Sequence, residues 1–135
     1  MDSELTRGSV DSGTYWEALA GYARAVRVGE RIIVSGTTAH GPDGLVGEGN
    51  PAAQAEFVIS KIENAIVQLG GSLRDVVQTR IYVRRIEDWE PVARVHGNRF
   101  GAIRPANVLV QADLVGEGSL VEIEAEAVVG AGNAL

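Results

Sequence analysis

From Val121 to Ala127 apolar residues and glutamates alternate without a break, in a strand-like run that continues to Val129, and this alternation constrains the chain more than any other segment. Side chains on a strand point to opposite faces in turn. Val121, Ile123, Ala125, Ala127 and Val129 therefore share one side, and Glu122, Glu124 and Glu126 project from the other, successive carboxylates standing about 6.6 Å apart. A helix would scatter the same residues around its circumference. The segment demands a sheet covered on one face only, with something apolar to cover it.

The cover is readable upstream. Asn50-Pro51 is a helix start, an N-cap followed by proline at the first helical position. Ala55, Val58, Ile59, Ile62, Ala65, Ile66 and Leu69 then recur at spacings of three and four until Gly70-Gly71, which predicts an amphipathic helix of about five turns. Asp88 is placed to cap a second helix through Phe100, with Pro91 in its first turn and Trp89, Val92, Val95 and Phe100 on its buried side. Residues 75–84 alternate, setting Val77, Thr79, Ile81 and Val83 against Gln78, Arg80, Tyr82 and Arg84, and residues 106–112 alternate again. Residues 23–28 and 31–35, separated by Gly29-Glu30, form a hairpin. The expected order is ββαβαββ, an α+β sandwich with helices on one face of a mixed sheet.

A chain of 135 residues, 45% of them hydrophobic, supports one core and no second domain. Residues 1–15 are expected as a loose arm able to dock on the domain, 16–130 as the single domain and 131–135 as a tail. Twelve Lys+Arg against 18 Asp+Glu leave a net charge of −6, which repels phosphate backbones and anionic headgroups. Two Trp, three Tyr and two Phe leave little for base stacking. Neither a nucleic acid nor a membrane is expected as partner. No apolar run approaches the roughly 18 residues of a span, and the first residues lack the basic start and apolar run of a signal peptide, so a cytoplasmic location is expected. The absence of cysteine excludes disulfides, thiolate metal sites and a cysteine nucleophile. His40 and His96 share no ligand-like spacing, and no metal is expected.

The uncovered sheet face is expected to carry Gln78, Arg80, Tyr82, Arg84, Asn107, Gln111 and the three glutamates. Such a face is either solvated or packed on another subunit. In water it would hold cross-strand Arg–Glu pairs, each contributing under about 1 kcal/mol. The mixture with Tyr82, Leu109 and Leu120 points instead to an oligomer interface with polar clefts, where ligand sites commonly form. Ser35 lacks a nucleophile elbow, and Gly41, Gly44, Gly47 and Gly49 match no phosphate loop. His96 reads as a surface or boundary residue and His40 as part of a mobile loop. Glu122 is the candidate general acid or base, because a carboxylate buried at an interface beside other carboxylates binds its proton more tightly. Its competing reading is an ion pair with Arg80 or Arg84.

Several segments, taken in order, resemble the RidA superfamily, also called the YjgF family. They are Gly21-Tyr22 ahead of the hairpin, Val34-Ser35-Gly36 closing it, the helix from Gln54 to Leu69 with Gly70-Gly71, and Asp75-Val76-Val77. Tyr82-Val83, Pro105-Ala106 and Val121-Glu122-Ile123-Glu124-Ala125 complete the set. The resemblance implies a chorismate-mutase-like fold assembled as a homotrimer, with a central β-barrel, three small-molecule clefts between subunits, and no metal or organic cofactor. It also implies hydrolysis of 2-imino or enamine acids, such as 2-aminoacrylate and 2-iminobutanoate, to the 2-keto acid and ammonia.

Carried over by this resemblance, the cleft tyrosine falls on Tyr22, the Ser-Gly strand end on Ser35 and Gly36, and the water-orienting glutamate on Glu122. Thr37 and Thr38 add hydroxyls beside that strand end. Asn107 stands where the deaminases, after Pro-Ala, carry the arginine that clamps the substrate carboxylate. A guanidinium gives a carboxylate two charge-assisted hydrogen bonds, whereas asparagine offers one neutral donor group. Arg104, offset by three along the strand, is expected on the opposite face. The expected function is therefore binding or hydrolysis of an enamine or imine metabolite, with 2-imino acid deaminase activity reduced or altered. A non-catalytic metabolite-binding or sensing trimer is the alternative, and the net charge argues against endoribonuclease activity.

Overall fold

The computed structural model describes residues 5–135. The alternating segment forms β8 (Val121–Val128), and its apolar side is buried as the period requires. It lies between β3 (Arg31–Thr37) and β6 (Val76–Val83), antiparallel to both. With β1 (Arg7–Val10), β2 (Ala25–Val28) and β7 (Ala106–Gln111) these make a six-stranded sheet in the order β1-β2-β3-β8-β6-β7, in which only β6 and β7 run parallel. A two-residue hairpin pairs β4 (His40–Gly41) with β5 (Gly44–Leu45). The β2–β3 hairpin turns through Gly29 at φ 59, a conformation that favours glycine at the first turn position.

The predicted cover is α2 (Pro51–Gln68), with Asn50 accepting from the Ala53 amide and Val58, Ile59, Ile62 and Ile66 fully buried. Arg27 donates to the Leu69 carbonyl at 2.7 Å, satisfying one of the acceptors that a helix end leaves open. Beside it packs α3 (Trp89–Phe100). Gln54, fully buried near the start of α2, donates to the Gly47 and Gly118 carbonyls and accepts from the Leu120 amide, which ties the turn before β8 to the helix. Among the described residues no helix is long and apolar enough to cross a membrane, and no cluster of His, Asp and Glu could hold a metal ion.

Five expectations need correction. A register shift between Val76 and Gln78 against β8 puts Val76 in the core and leaves Val77 40% exposed, because a bulge inserts one residue and reverses the alternation behind it. Trp89 is 51% exposed: the Asp88 carboxylate pairs with Arg85 instead of capping α3, and the buried stripe starts one turn in, at Val92. The parallel register sets Asn107 beside Thr79 and Gln111 beside Val83. Asn107, Leu109 and Gln111 thus lie on the helix side, and Ala106, Val108 and Val110 take the outer face. Arg104 precedes β7 rather than lying on a strand, at φ 55, with its amide bonded to the Phe100 carbonyl at the end of α3.

The last correction concerns the termini. Within the segment read as a loose arm, residues 7–10 form β1 paired along β2, and the helix α1 (Tyr15–Ala20) begins at 15; residues 1–4 lie outside the described residues. The reading as a tail gives way to a short 3-10 turn (Ala131–Ala134), where the Asp75 carboxylate accepts from the Gly130 and Gly132 amides.

α1 opens on a capping box of Thr14 and Glu17. Glu17 is nearly inaccessible and accepts from the Ser12 and Thr14 amides and hydroxyls, and its Oε2 lies 3.2 Å from Arg24. Burial acts to raise its proton affinity, but the bonds from Ser12 and Thr14 outweigh burial and hold the carboxyl well below the usual carboxylate range. Its folded value lies below its unfolded one. The stabilisation is therefore complete above the unfolded carboxylate range and is lost as pH falls through it towards the folded value. Glu17→Gln should destabilise the fold by about 3 kcal/mol at pH 7, since it leaves Arg24 buried without its partner. Urea melts from pH 7 to pH 3 should show the parent losing more of its stability than the variant; parallel losses would count against the pair.

Candidate functional site

The outer sheet face holds its three glutamates in three different ways. Glu126 pairs with Arg31 at 3.3 Å. Glu124 accepts from the Tyr82 hydroxyl and lies 3.9 Å from Arg80. Arg84, a possible partner for Glu122, instead turns its guanidinium to the Ser119, Leu114 and Gly116 carbonyls. Glu122 is left without a hydrogen bond or ion pair among the described residues. The ion-pair reading of this residue does not hold.

Glu122 lies over Gly36. A Cβ built on Gly36 would fall 2.2 Å from Glu122 Oε2, so the carboxylate occupies the space a side chain there would need. The β3–β8 register breaks between Val34 and Thr37, which places Gly36 in the irregular stretch. Glu122 opens with Tyr22, Thr14, Trp16, Thr38 and Val115 into a cavity of about 230 Å³. Burial raises its proton affinity; the Arg24 charge opposes this, and the Glu124 charge adds to it.

Arg24 forms the floor. Its guanidinium binds the Gly36 carbonyl, the Thr37 hydroxyl at 3.0 Å, the Ser12 hydroxyl at 3.1 Å and Glu17. It also stands 5.6 Å from the centre of the Tyr22 ring, within cation–π range.

Of the residues singled out from sequence, the structure brings Tyr22, Gly36 and Glu122 together around this cavity. Ser35 and Thr37 stand behind it. The Ser35 hydroxyl donates to the Ala23 carbonyl, and Thr37, fully buried, donates to the Ser35 carbonyl while accepting from Arg24. Asn107 is not in the cavity of its own chain. Its amide donates to the Thr79 hydroxyl, which is bonded in turn to His96 Nε2 at 2.8 Å. His96 sits at a boundary, with its ring 4.5 Å from Phe100.

Sequence reasoning missed Thr14, Trp16, Glu17 and Arg24. The Thr14-x-x-Glu17 spacing was an available signal, being that of a capping box. Arg24 gave none, because a lone arginine in a strand-like run reads as a solvated residue. His40 is not a mobile loop residue: its ring accepts or donates a 2.8 Å bond with the Thr38 hydroxyl and meets Trp16 edge-on at 4.9 Å.

Comparison with known proteins identifies the family. The family model described as Endoribonuclease L-PSP matches residues 14–129. A Streptomyces coelicolor protein is 39% identical over 97% of this chain and 98% of its own length. The 3-aminoacrylate deaminase RutC of Acinetobacter baylyi is 33% identical over 78% of this chain and 84% of its own. The crystal structure of Rv2704 from Mycobacterium tuberculosis, a member of the YjgF/YER057c/UK114 family, superposes with a TM-score of 0.83 at 44% identity, covering 92% of this chain and all of that one. The chain belongs to the Endoribonuclease L-PSP family, the RidA/YjgF superfamily.

Proposed function

We propose that the Glu122 cavity binds a small enamine or imine and that Glu122 positions the water that hydrolyses it. One observation carries this reading: a carboxylate with no hydrogen-bond or ion-pair partner among the described residues is held over Gly36 in a small cavity, with its proton affinity raised by burial. A carboxyl titrating nearer neutrality is suited to both taking and returning a proton. An enamine first tautomerises, gaining a proton on carbon and losing one from nitrogen, to give the imine. Glu122 then accepts a proton from water as the oxygen adds to the imine carbon and passes it to the nitrogen, and afterwards carries the carbinolamine hydroxyl proton to the nitrogen as the C–N bond breaks and the carbonyl forms. Imine and water become carbonyl and ammonia. The kinship with a 3-aminoacrylate deaminase supports this chemistry.

On this reading the protein acts as a homotrimer with its clefts between subunits, without metal or organic cofactor, and with no nucleic acid as partner. Thr79 faces the core and Tyr82, three residues on, the outer face, so Asn107 beside Thr79 and Glu122 beside Tyr82 belong to opposite sides of one sheet. Both can line one cleft only if two copies contribute them. Asn107 would then hydrogen-bond the polar end of the substrate, and a substrate carboxylate would lack the charged clamp an arginine provides. This feature favours the second reading, a trimer that binds or senses the metabolite without turning it over. Ligand-induced thermal stabilisation without ammonia release would identify that case.

Ammonia release from enzymatically generated 2-iminobutanoate and from 3-aminoacrylate tests the first reading. Glu122→Gln should lower turnover by about 10²-fold or more and leave the melting temperature at or above the parent's, since it removes a carboxylate whose charge burial disfavours. Turnover unchanged in this variant would remove Glu122 from the reaction.

Two further variants test the geometry. Gly36→Ala should lose activity to the same extent, because its Cβ evicts the carboxylate, while the fold persists because the displaced group is the far end of a side chain. Asn107→Arg should raise turnover of the anionic imino acid by at least about tenfold, in keeping with a charged hydrogen bond replacing a neutral one; no gain would sink the assignment of Asn107 to the substrate's carboxylate end.

A further inference from the structure

Of the twelve Lys+Arg residues only Lys61 is a lysine. It is half-buried on α2 and lines a second, larger cavity of about 860 Å³ between residues 10–16, the β4–β5 hairpin and the flank of α2. The walls include Trp16, Pro42, Phe57 and Asn64. Lys61 Nζ donates to the His40 carbonyl at 2.8 Å and forms no ion pair among the described residues. Among the described residues this amine has one neutral hydrogen-bond acceptor and no ion-pair partner, with Trp16 and Phe57 on the cavity wall. Its charged form is poorly solvated, and the neutral form is the nucleophile.

We propose that Lys61 is a carbonyl-capturing amine: Nζ condenses with a small aldehyde or 2-oxo acid seated in this cavity to form an imine. Nζ adds to the carbonyl carbon to give a carbinolamine, the nitrogen loses a proton, and the hydroxyl leaves as water as the C=N bond forms. No oxidant, reductant or further reactant enters. Trp16 and Phe57 would flank the body of the carbonyl compound. The titratable and charged groups around Lys61 are Arg24, His40 on the hairpin and Asp11, which line the cavity, and Glu17, the ion-pair partner of Arg24. Burial first, and then the Arg24 charge, against the opposing charge of Glu17, together push the Lys61 ammonium down from 10.5 to about 8. At pH 7.5 such a lysine holds on the order of 10² times more free amine than an unperturbed one. This site does not rest on the reading of Glu122, although Thr14, Trp16 and Arg24 line both cavities.

The experiment incubates the full chain with benzaldehyde or, separately, glyoxylate in the presence of sodium cyanoborohydride, which reduces any imine to a stable secondary amine. Intact mass and peptide mapping locate the adduct. Lys61 should be labelled at least tenfold faster at pH 7.5 than Nα-acetyl-lysine methylamide in the same solution, with a rate that rises through a midpoint near 8. Lys61→Arg should abolish labelling at this position, leaving only the N-terminal amine. Faster reaction of benzaldehyde would assign the selectivity to the aromatic wall, and faster reaction of glyoxylate to the surrounding cations. Labelling of Lys61 no faster than the free amino acid derivative, or a midpoint near 10, overturns the proposal, and this parent profile decides the matter even if the variant folds poorly.

Discussion

The candidate site depends on a buried ion pair that no strand pattern announces. Removing Arg24 and Glu17 from water is costly, and such a pair holds together only when its remaining donors and acceptors are also satisfied. Here they are: Glu17 takes four hydrogen bonds from Ser12 and Thr14, while Arg24 spends its guanidinium on Ser12, Gly36 and Thr37 as well as on Glu17. The network fastens the segment before β2 to the far end of β3. It thereby fixes the backbone of Gly36, the surface against which Glu122 rests. A break in this network would reach the carboxylate without touching it.

The irregular end of β3 is the second requirement. In an uninterrupted antiparallel ladder, side chains on neighbouring strands stand beside one another. The register break between Val34 and Thr37 and the missing side chain at Gly36 let the Glu122 carboxylate lie over the neighbouring backbone instead. Glu124 and Glu126, further along the same strand, have ordinary cross-strand partners and pair with Arg80 and Arg31. Three glutamates at equivalent positions of one alternation thus acquire different surroundings from what lies opposite them.

This difference marks the limit of what the sequence made legible. Periodicity carried the long elements: the α2 stripe, the β8 alternation and the β2–β3 turn lie where spacing put them, because burial of one face enforces those periods. It failed wherever one residue was added or a partner strand decided the face. The bulge at Val76–Gln78 turned Val77 outward, and the parallel register of β7 carried Asn107 and Gln111 to the helix side, neither of which alternation within a single strand can reveal. Around the Glu122 cavity, Tyr22 and Gly36 were reached through family resemblance and Glu122 also through its place on the acidic face, whereas Arg24, and Lys61 in the neighbouring cavity, drew no attention. Their surroundings are built by residues 10–17, and cover is a tertiary property.

The arrangement of charge bears directly on which ligands the Glu122 cavity suits. Every arginine close to it is already engaged: Arg24 with Glu17 and backbone, Arg80 with Glu124, Arg31 with Glu126 and Arg84 with three carbonyls. An anionic ligand would meet Glu122 and Glu124 with no uncommitted cation to offset them, and like charges a few ångströms apart in a partly desolvated site repel by several kcal/mol at an effective dielectric of about 20. Protonation of Glu122 would remove its share of the repulsion, and a neutral ligand would escape it altogether. On the proposed reading, a neutral imine or enamine would therefore fit the electrostatics of this cavity better than a carboxylate-bearing one, and the acidic row on β8 that shapes the sheet would also bear on which ligands it takes.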